Sequence, residues 1–185
     1  DDKGYNKSIK VILLGDSNVG KSSIVTRLCR GEFNENLGAT ISIEYYNYTV
    51  KVNDFTIRMQ IWDTVGQEKF NSLISNYYRS TDVGIFVYSI NKKQSFERIQ
   101  DWYQEASEKN TILDNCNMKN ILIGNKKDLS DKVITYEQGE NFAKENNCLL
   151  FKEISCKNDD HEEIDKNLYA LHLNRDENLT KRQHI

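Results

Sequence analysis

Eight residues near the start of the chain, Gly15-Asp16-Ser17-Asn18-Val19-Gly20-Lys21-Ser22, leave few choices for how the backbone around them can run. They fit the pattern G-x-x-x-x-G-K-[ST]. Before them lies Ile9 to Leu14, a short apolar run that stops at a glycine and reads as a buried strand; after them Lys21 to Arg30 reads as a helix. A loop in that place turns successive backbone N–H groups into one concavity, beside a helix N-terminus whose partial positive charge favours a phosphate. Gly20 lets the backbone come close. Lys21 is placed to reach β- and γ-phosphates, and the Ser22 hydroxyl suits Mg2+, which prefers hard oxygen ligands in an octahedron.

The rest of the chain extends the same architecture. Residues 31 to 39 are polar and small with no period, hence loop. Ile43 to Val52 and Phe55 to Trp62 are strand-like runs around the turn pair Asn53-Asp54, which favours an antiparallel hairpin. Beyond it the pattern alternates: strand Val83 to Ile90, helix around Ser95 to Lys109, strand Asn120 to Gly124, helix around Tyr136 to Asn146, strand Leu149 to Ile154, helix around Glu162 to Leu173. Such alternation implies parallel βαβ units in a doubly wound sheet, with ligands at the carboxyl ends of the strands. The expectation is an α/β fold, a single P-loop domain with a six-stranded, mostly parallel sheet, one antiparallel edge hairpin strand and helices on both faces. Its bounds are set at 8–173, with residues 1–7 a disordered extension and 174–185 a flexible, mostly polar tail.

Composition excludes more than it selects. With 185 residues the chain is the size of one domain, and 38% hydrophobic with 29% charged residues is a globular balance. A formal net charge of -3 carries no electrostatic footprint for nucleic acid, which is set aside as a partner. Cys29, Cys116, Cys148 and Cys156 form no CxxC pair, and His161, His172 and His184 add no zinc spacing, so free thiols in a reducing cytosol are expected. No apolar run approaches the roughly 18 to 20 residues that span a bilayer. The sequence starts without Met, and its end, Lys181-Arg182-Gln183-His184-Ile185, has no cysteine for a lipid; anchoring is left open between a trimmed end, another lipid and none.

Two further motifs follow strands. Asp63-Thr64-Val65-Gly66-Gln67-Glu68 puts a carboxylate at a strand's carboxyl end, where a metal-anchoring acid belongs, and a Gln near it that can orient an attacking water. Asn125-Lys126-Lys127-Asp128 follows Ile121-Leu122-Ile123-Gly124. An Asp there can accept paired hydrogen bonds from the N1–H and exocyclic amine of guanine. Adenine lacks that donor pair and would leave the carboxylate unmatched, a discrimination on the order of 10⁴.

Together these residues resemble the Ras superfamily of small GTPases over about residues 8 to 173. The resemblance implies a nucleotide site made of Asn18, Val19, Gly20, Lys21, Ser22, Ser23, Phe33, Thr40, Gly66, Asn125, Lys126, Asp128, Ser155, Cys156 and Lys157. Phe33 stands where the family's base-edge aromatic falls. Ser155-Cys156-Lys157 resembles its Ser-Ala-Lys guanine loop, with Cys for Ala. Counting on from Gly15 and back from Asp63 both land on Thr40, so Mg2+ is assigned to Ser22, Thr40 and Asp63, and catalysis to Gln67, Lys21 and Gly66. Ile61-Trp62-Asp63-Thr64, Tyr77-Tyr78-Arg79-Ser80, Val87-Tyr88-Ser89-Ile90 and Ser95-Phe96 resemble the Rab signature segments, whose exposed aromatic triad corresponds to Tyr45, Trp62 and Tyr77, read here as an effector surface.

The resemblance implies a vesicle-traffic switch that binds GTP or GDP with Mg2+ and hydrolyses GTP slowly. It is expected to be a cytoplasmic monomer on the cytosolic face of an endomembrane or vesicle, served by an exchange factor, an activating protein and effectors. Loops 34–42 and 64–74 are expected to be held by Thr40 and the Gly66 amide only while the γ-phosphate is present. Two departures matter. Val65 replaces the usual Ala beside Gly66, and Ser42 replaces the glycine of Thr-Ile-Gly, so the usual effectors are in doubt. Two alternatives stay open: a GTP-binding interaction module whose hydrolysis Val65 impairs, and an adenine-nucleotide P-loop kinase, which Asn125-Lys126-x-Asp128 opposes.

Overall fold

A computed structural model describes residues 4–35, 38, 42–52, 54–64, 77–114 and 118–159. Within them the chain order is β1 (Lys7–Leu14), α1 (Lys21–Arg30), β2 (Glu44–Val52), β3 (Phe55–Asp63), β4 (Val83–Ser89), α2 (Lys93–Glu97), α3 (Ile99–Asp114), β5 (Lys119–Asn125), α4 (Tyr136–Glu145) and β6 (Leu150–Glu153). The helix expected at 162–173 and Asn53 of the expected turn lie outside the described residues.

The six strands run in the order β2-β3-β1-β4-β5-β6. β2 and β3 pair antiparallel from Glu44 opposite Asp63 to Val52 opposite Phe55, and the other neighbours are parallel. The sheet is therefore the one expected, with the antiparallel strand at its edge. From β1 the chain builds outward first through β3 and then, on the other side, through β4. The carboxyl end of β1 is thus the switch point, where loops diverge and leave a crevice.

Alternation along the strands divides the core in two. On one face Ile9, Val11 and Leu13 of β1 join Ile57, Met59 and Ile61 of β3 beneath Ile24, Val25 and Leu28 of α1. On the other Ile12 and Leu14 meet Phe86, Tyr88 and Leu122 beneath Ile99, Trp102 and Ala106 of α3 and Ala143 of α4. A ten-residue helix such as α1 is not stable alone in water, and burying each of those three aliphatic side chains contributes about 1.5–3 kcal/mol, so tertiary packing holds it.

Of the boundaries that differ from expectation, two have clear local reasons. β1 begins at Lys7 because Asn6 clamps Thr56 from both sides: its N–H donates to the Thr56 carbonyl (2.8 Å) and its Oδ1 accepts from the Thr56 N–H (2.6 Å). The helix expected as one piece from Ser95 is two, meeting at Arg98, whose ψ of -9° interrupts regular helix. The Ser95 hydroxyl accepts from the Ser89 N–H (3.0 Å) and donates to the Lys92 carbonyl (2.7 Å), pinning α2 to the end of β4. Ile99, Trp102 and Ala106, spaced to lie on one face, pin α3 to the sheet, and the bend reconciles the two anchors.

α4 starts with a capping box: the Thr135 hydroxyl accepts from the Gln138 N–H (3.2 Å) and Gln138 Oε1 accepts from the Thr135 N–H (2.8 Å). Thr135→Ala is expected to cost about 1 kcal/mol, read as a lower urea midpoint at unchanged slope and fixed nucleotide concentration. An unmoved midpoint would mean that packing alone sets this helix end.

Candidate functional site

The loop after β1 is shaped by close approaches. At Gly15, φ is 139° and a Cβ would stand 2.2 Å from the Val87 carbonyl oxygen of β4, so only glycine lets the chain turn there. Asn18 follows in the left-handed region at φ 62°, then Gly20 at φ 101° serves as N-cap of α1. A glycine N-cap offers no side chain to the first N–H groups of that helix, and its first residues, Lys21, Ser22 and Ser23, line the cleft, a setting suited to an anion.

Lys21 is 5% exposed, and its ammonium donates to the carbonyls of Gly15 (2.8 Å) and Asp16 (2.9 Å). Burial lowers its pKa to about 8, against the opposing pull of the Asp63 and Asp16 carboxylates. A phosphate beside it would supply the counter-charge that the carbonyls lack.

Asp63 ends β3 next to Leu13 of β1, and the Thr64 hydroxyl after it donates to the Leu13 carbonyl (2.6 Å). The Asp63 carboxylate is fully buried, and neither oxygen receives a hydrogen bond from the described residues. Burial pushes its pKa up to about 6; nearby Ser22 and the Lys21 ammonium restrain the rise, and Glu44 adds to it. Ser22 is close enough to act on that charge without meeting hydrogen-bond geometry. An orphaned, buried carboxylate beside a hydroxyl fits a hard divalent cation. Mg2+ is commonly held by one or two carboxylates and substrate phosphates rather than by a cage of side chains, and a carboxylate near the Ser22 hydroxyl matches that need.

The far end of the cleft is built from the turns after β5 and β6. Asn125 Nδ2 donates to the Val19 carbonyl (2.9 Å), and Lys126 Nζ donates to the Asn18 carbonyl (2.8 Å), so this turn grips the phosphate loop directly. Lys126 has φ 69°, a left-handed backbone that costs a non-glycine residue about 1–2 kcal/mol and concentrates at functional sites. Asp128 Oδ1 accepts from the Ser155 hydroxyl (2.6 Å), and the Asn125 side-chain oxygen Oδ1 accepts from the Cys156 thiol (3.4 Å). Burial pushes that thiol up to about 12, so it stays protonated and packs as a small apolar group. Lys157 pairs with Glu35 (2.5 Å) across the mouth. Ser22, Ser23, Phe33, Asn125, Lys126, Asp128 and Lys157 all line one cleft of about 340 Å3 running from Lys21 to Cys156, a volume ordinary for a small-molecule ligand.

A profile of the Ras family matches residues 10–173. Among its relatives, the Ras-related protein Rab5 of Nicotiana tabacum is 42% identical over 82% of this chain and 74% of its own. The Ras-related protein SEC4 of Saccharomyces cerevisiae is 37% identical over 86% and 72%, and RabQ of Dictyostelium discoideum 39% over 85% and 74%. The chain belongs to the Ras superfamily of small GTPases and is of the Rab type. That family binds guanine nucleotides with Mg2+ and hydrolyses GTP, and the cleft of this Rab-type GTPase has parts suited to both ligands.

Thr40, Val65, Gly66 and Gln67 lie outside the described residues of this GTPase. Its three singled-out aromatics come together: ring centroids of Tyr45 and Trp62 are 4.8 Å apart, those of Trp62 and Tyr77 5.0 Å. Strand register does this, since Tyr45 of β2 faces Trp62 of β3. The Lys10 ammonium stands 5.7 Å from the Trp62 ring centre, and Tyr45 is 41% exposed. Sequence reading passed over Asp16, Glu35 and Trp102. Asp16 occupies a free position of the motif, and the contacts of all three join distant segments, so spacing carries no signal for them.

Proposed function

We propose that this Rab-type chain binds GTP and GDP with Mg2+, hydrolyses GTP slowly, and acts as a switch in vesicle traffic at the cytosolic face of an endomembrane. The observation that carries the reading is one cleft lined by Lys21, Ser22, Asn125, Lys126 and Asp128, with the Asp63 carboxylate buried close to Ser22 and Lys21. Lys21 and the first N–H groups of α1 hold the β- and γ-phosphates. Ser22 and Asp63, with Thr40, would hold the cation, which would supply positive charge against that developing on the phosphate oxygens. Asp128, held by Ser155, accepts from the guanine edge, while Phe33 and Lys157 flank the base and the backbone N–H of the Ser155–Lys157 turn meets its oxygen. Gln67 orients the attacking water and the Gly66 amide meets the γ-phosphate. Catalysis is then mostly electrostatic and slow, to be raised by an activating protein and reset by an exchange factor. The Tyr45–Trp62–Tyr77 cluster serves as the effector surface, being a group of mutually tilted aromatic rings with Tyr45 exposed.

Single-turnover conversion of bound GTP, with Mg2+ and excess ATP, tests this. Slow GDP formation that ATP does not disturb and that Gln67→Leu lowers at least tenfold is expected. Binding without hydrolysis by either protein would favour the interaction module impaired at Val65, and displacement by ATP would overturn the guanine assignment.

A further inference from the structure

The second residue of the phosphate loop sends its side chain away from the cleft. Asp16 Oδ1 accepts from the indole N–H of Trp102 in α3 (2.9 Å) and faces Arg98 Nε at the α2–α3 bend (3.4 Å). Trp102 is 2% exposed, and the Arg98 and Asp16 side chains are 28% and 15% exposed, so water screens this pair little. The carboxylate thus makes charge-assisted contacts in a partly dry setting, unlike an exposed surface ion pair.

The same residue faces the site with its backbone. The Asp16 carbonyl is one of the two oxygens that hold the Lys21 ammonium, the other being that of Gly15, which is wedged against β4. Lys21 is nearly buried, and those two carbonyls are the hydrogen-bond acceptors its ammonium has among the described residues, so its place depends on them. Gly15 is fixed by packing, whereas Asp16 is fixed by its side chain. A carboxylate released from Arg98 and Trp102 frees the peptide that aims the ammonium, and a charge-assisted hydrogen bond weakens steeply once it leaves the 2.7–3.2 Å range.

We propose that Asp16, held by Arg98 and Trp102, is a positioning residue that aims Lys21 at the β- and γ-phosphates, making the α2–α3 bend a remote determinant of nucleoside di- and triphosphate affinity. This rests on the guanine-nucleotide reading above. The latch acts only through Lys21, so it affects ligands in proportion to the phosphates that Lys21 touches. GDP and GTP feel it; GMP does not.

The experiment compares the wild-type chain with Asp16→Ala, Asp16→Asn and Arg98→Gln, using fluorescent GDP and GMP at fixed Mg2+, with a melting curve for each protein. Asp16→Ala is expected to raise the GDP Kd about 10- to 100-fold, and Arg98→Gln, which leaves the Asp16–Trp102 hydrogen bond its donor and acceptor, about 3- to 10-fold. GMP affinity should stay within twofold of wild type. Asp16→Asn keeps an acceptor for Trp102 and should fall between, and combining it with Arg98→Gln should add nothing beyond the larger single effect. Equal weakening of GDP and GMP, or a lower melting temperature with unchanged GDP affinity, would overturn the latch and leave a merely structural contact. Wild-type protein that fails to bind GDP would instead overturn the nucleotide reading itself.

Discussion

Gly20→Ala is expected to remove measurable GDP binding while the sheet stays folded. A Cβ at residue 20 would stand 2.2 Å from Asn125 Nδ2, the atom that donates to the Val19 carbonyl, and φ there is 101°. Alanine must leave that conformation, at about 1–2 kcal/mol, or expel the Asn125 amide, which parts the phosphate loop from the guanine-end turn. Either way both halves of the cleft shift against each other. A loss of about 4 kcal/mol or more, on the order of 10³ in Kd, follows if one charge-assisted phosphate contact and the Asn125 bridge go together. Titration with fluorescent GDP measures it, and circular dichroism checks that the fold persists. Affinity within tenfold of wild type would show that the loop rebuilds around the methyl group.

Asp63→Asn is expected to act in opposite directions on stability and function. The carboxylate is buried with no hydrogen bond from the described residues to either oxygen. The folded group takes its proton near 6, against 3.8 for the ordinary carboxyl, so the folded state binds more protons through that window and loses stability as pH rises across it. The penalty is absent below the ordinary value and complete above the folded one. An uncharged amide of the same shape escapes it, although its NH2 also needs partners, so the net gain at pH 7.5 in EDTA should be about 1–2 kcal/mol and should fade below pH 4. With Mg2+ and GDP the order should invert, because only the wild-type protein gains the cation's linkage energy. Melting curves in EDTA and in Mg2+ with GDP decide the matter. A variant less stable in EDTA would show that the carboxylate finds a partner in solution.

These two residues mark different kinds of legibility. Gly20 and Lys21 sit in a pattern whose spacing encodes a local shape, a strand turned into a helix around an anion, and short-range sterics hold wherever that pattern occurs. The strands were equally plain, because sheets covered on both faces demand near-continuous apolar runs such as Val83–Ser89, where every residue is buried. The order of those strands has no such local mark. It places Asn125 on the Val19 carbonyl across 106 residues and Trp102 on Asp16 across 86, and it turns Tyr45, Trp62 and Tyr77 into one cluster. The bend at Arg98 is similar: propensity alone favours one helix from Ser95 onward, and only the competing anchors on β4 and the sheet divide it. Period, turn chemistry and motif spacing are properties of neighbours along the chain and were readable in the sequence. Which side chain steadies which, and hence what aims Lys21, depends on how remote segments pack, and that was decided only in the tertiary structure.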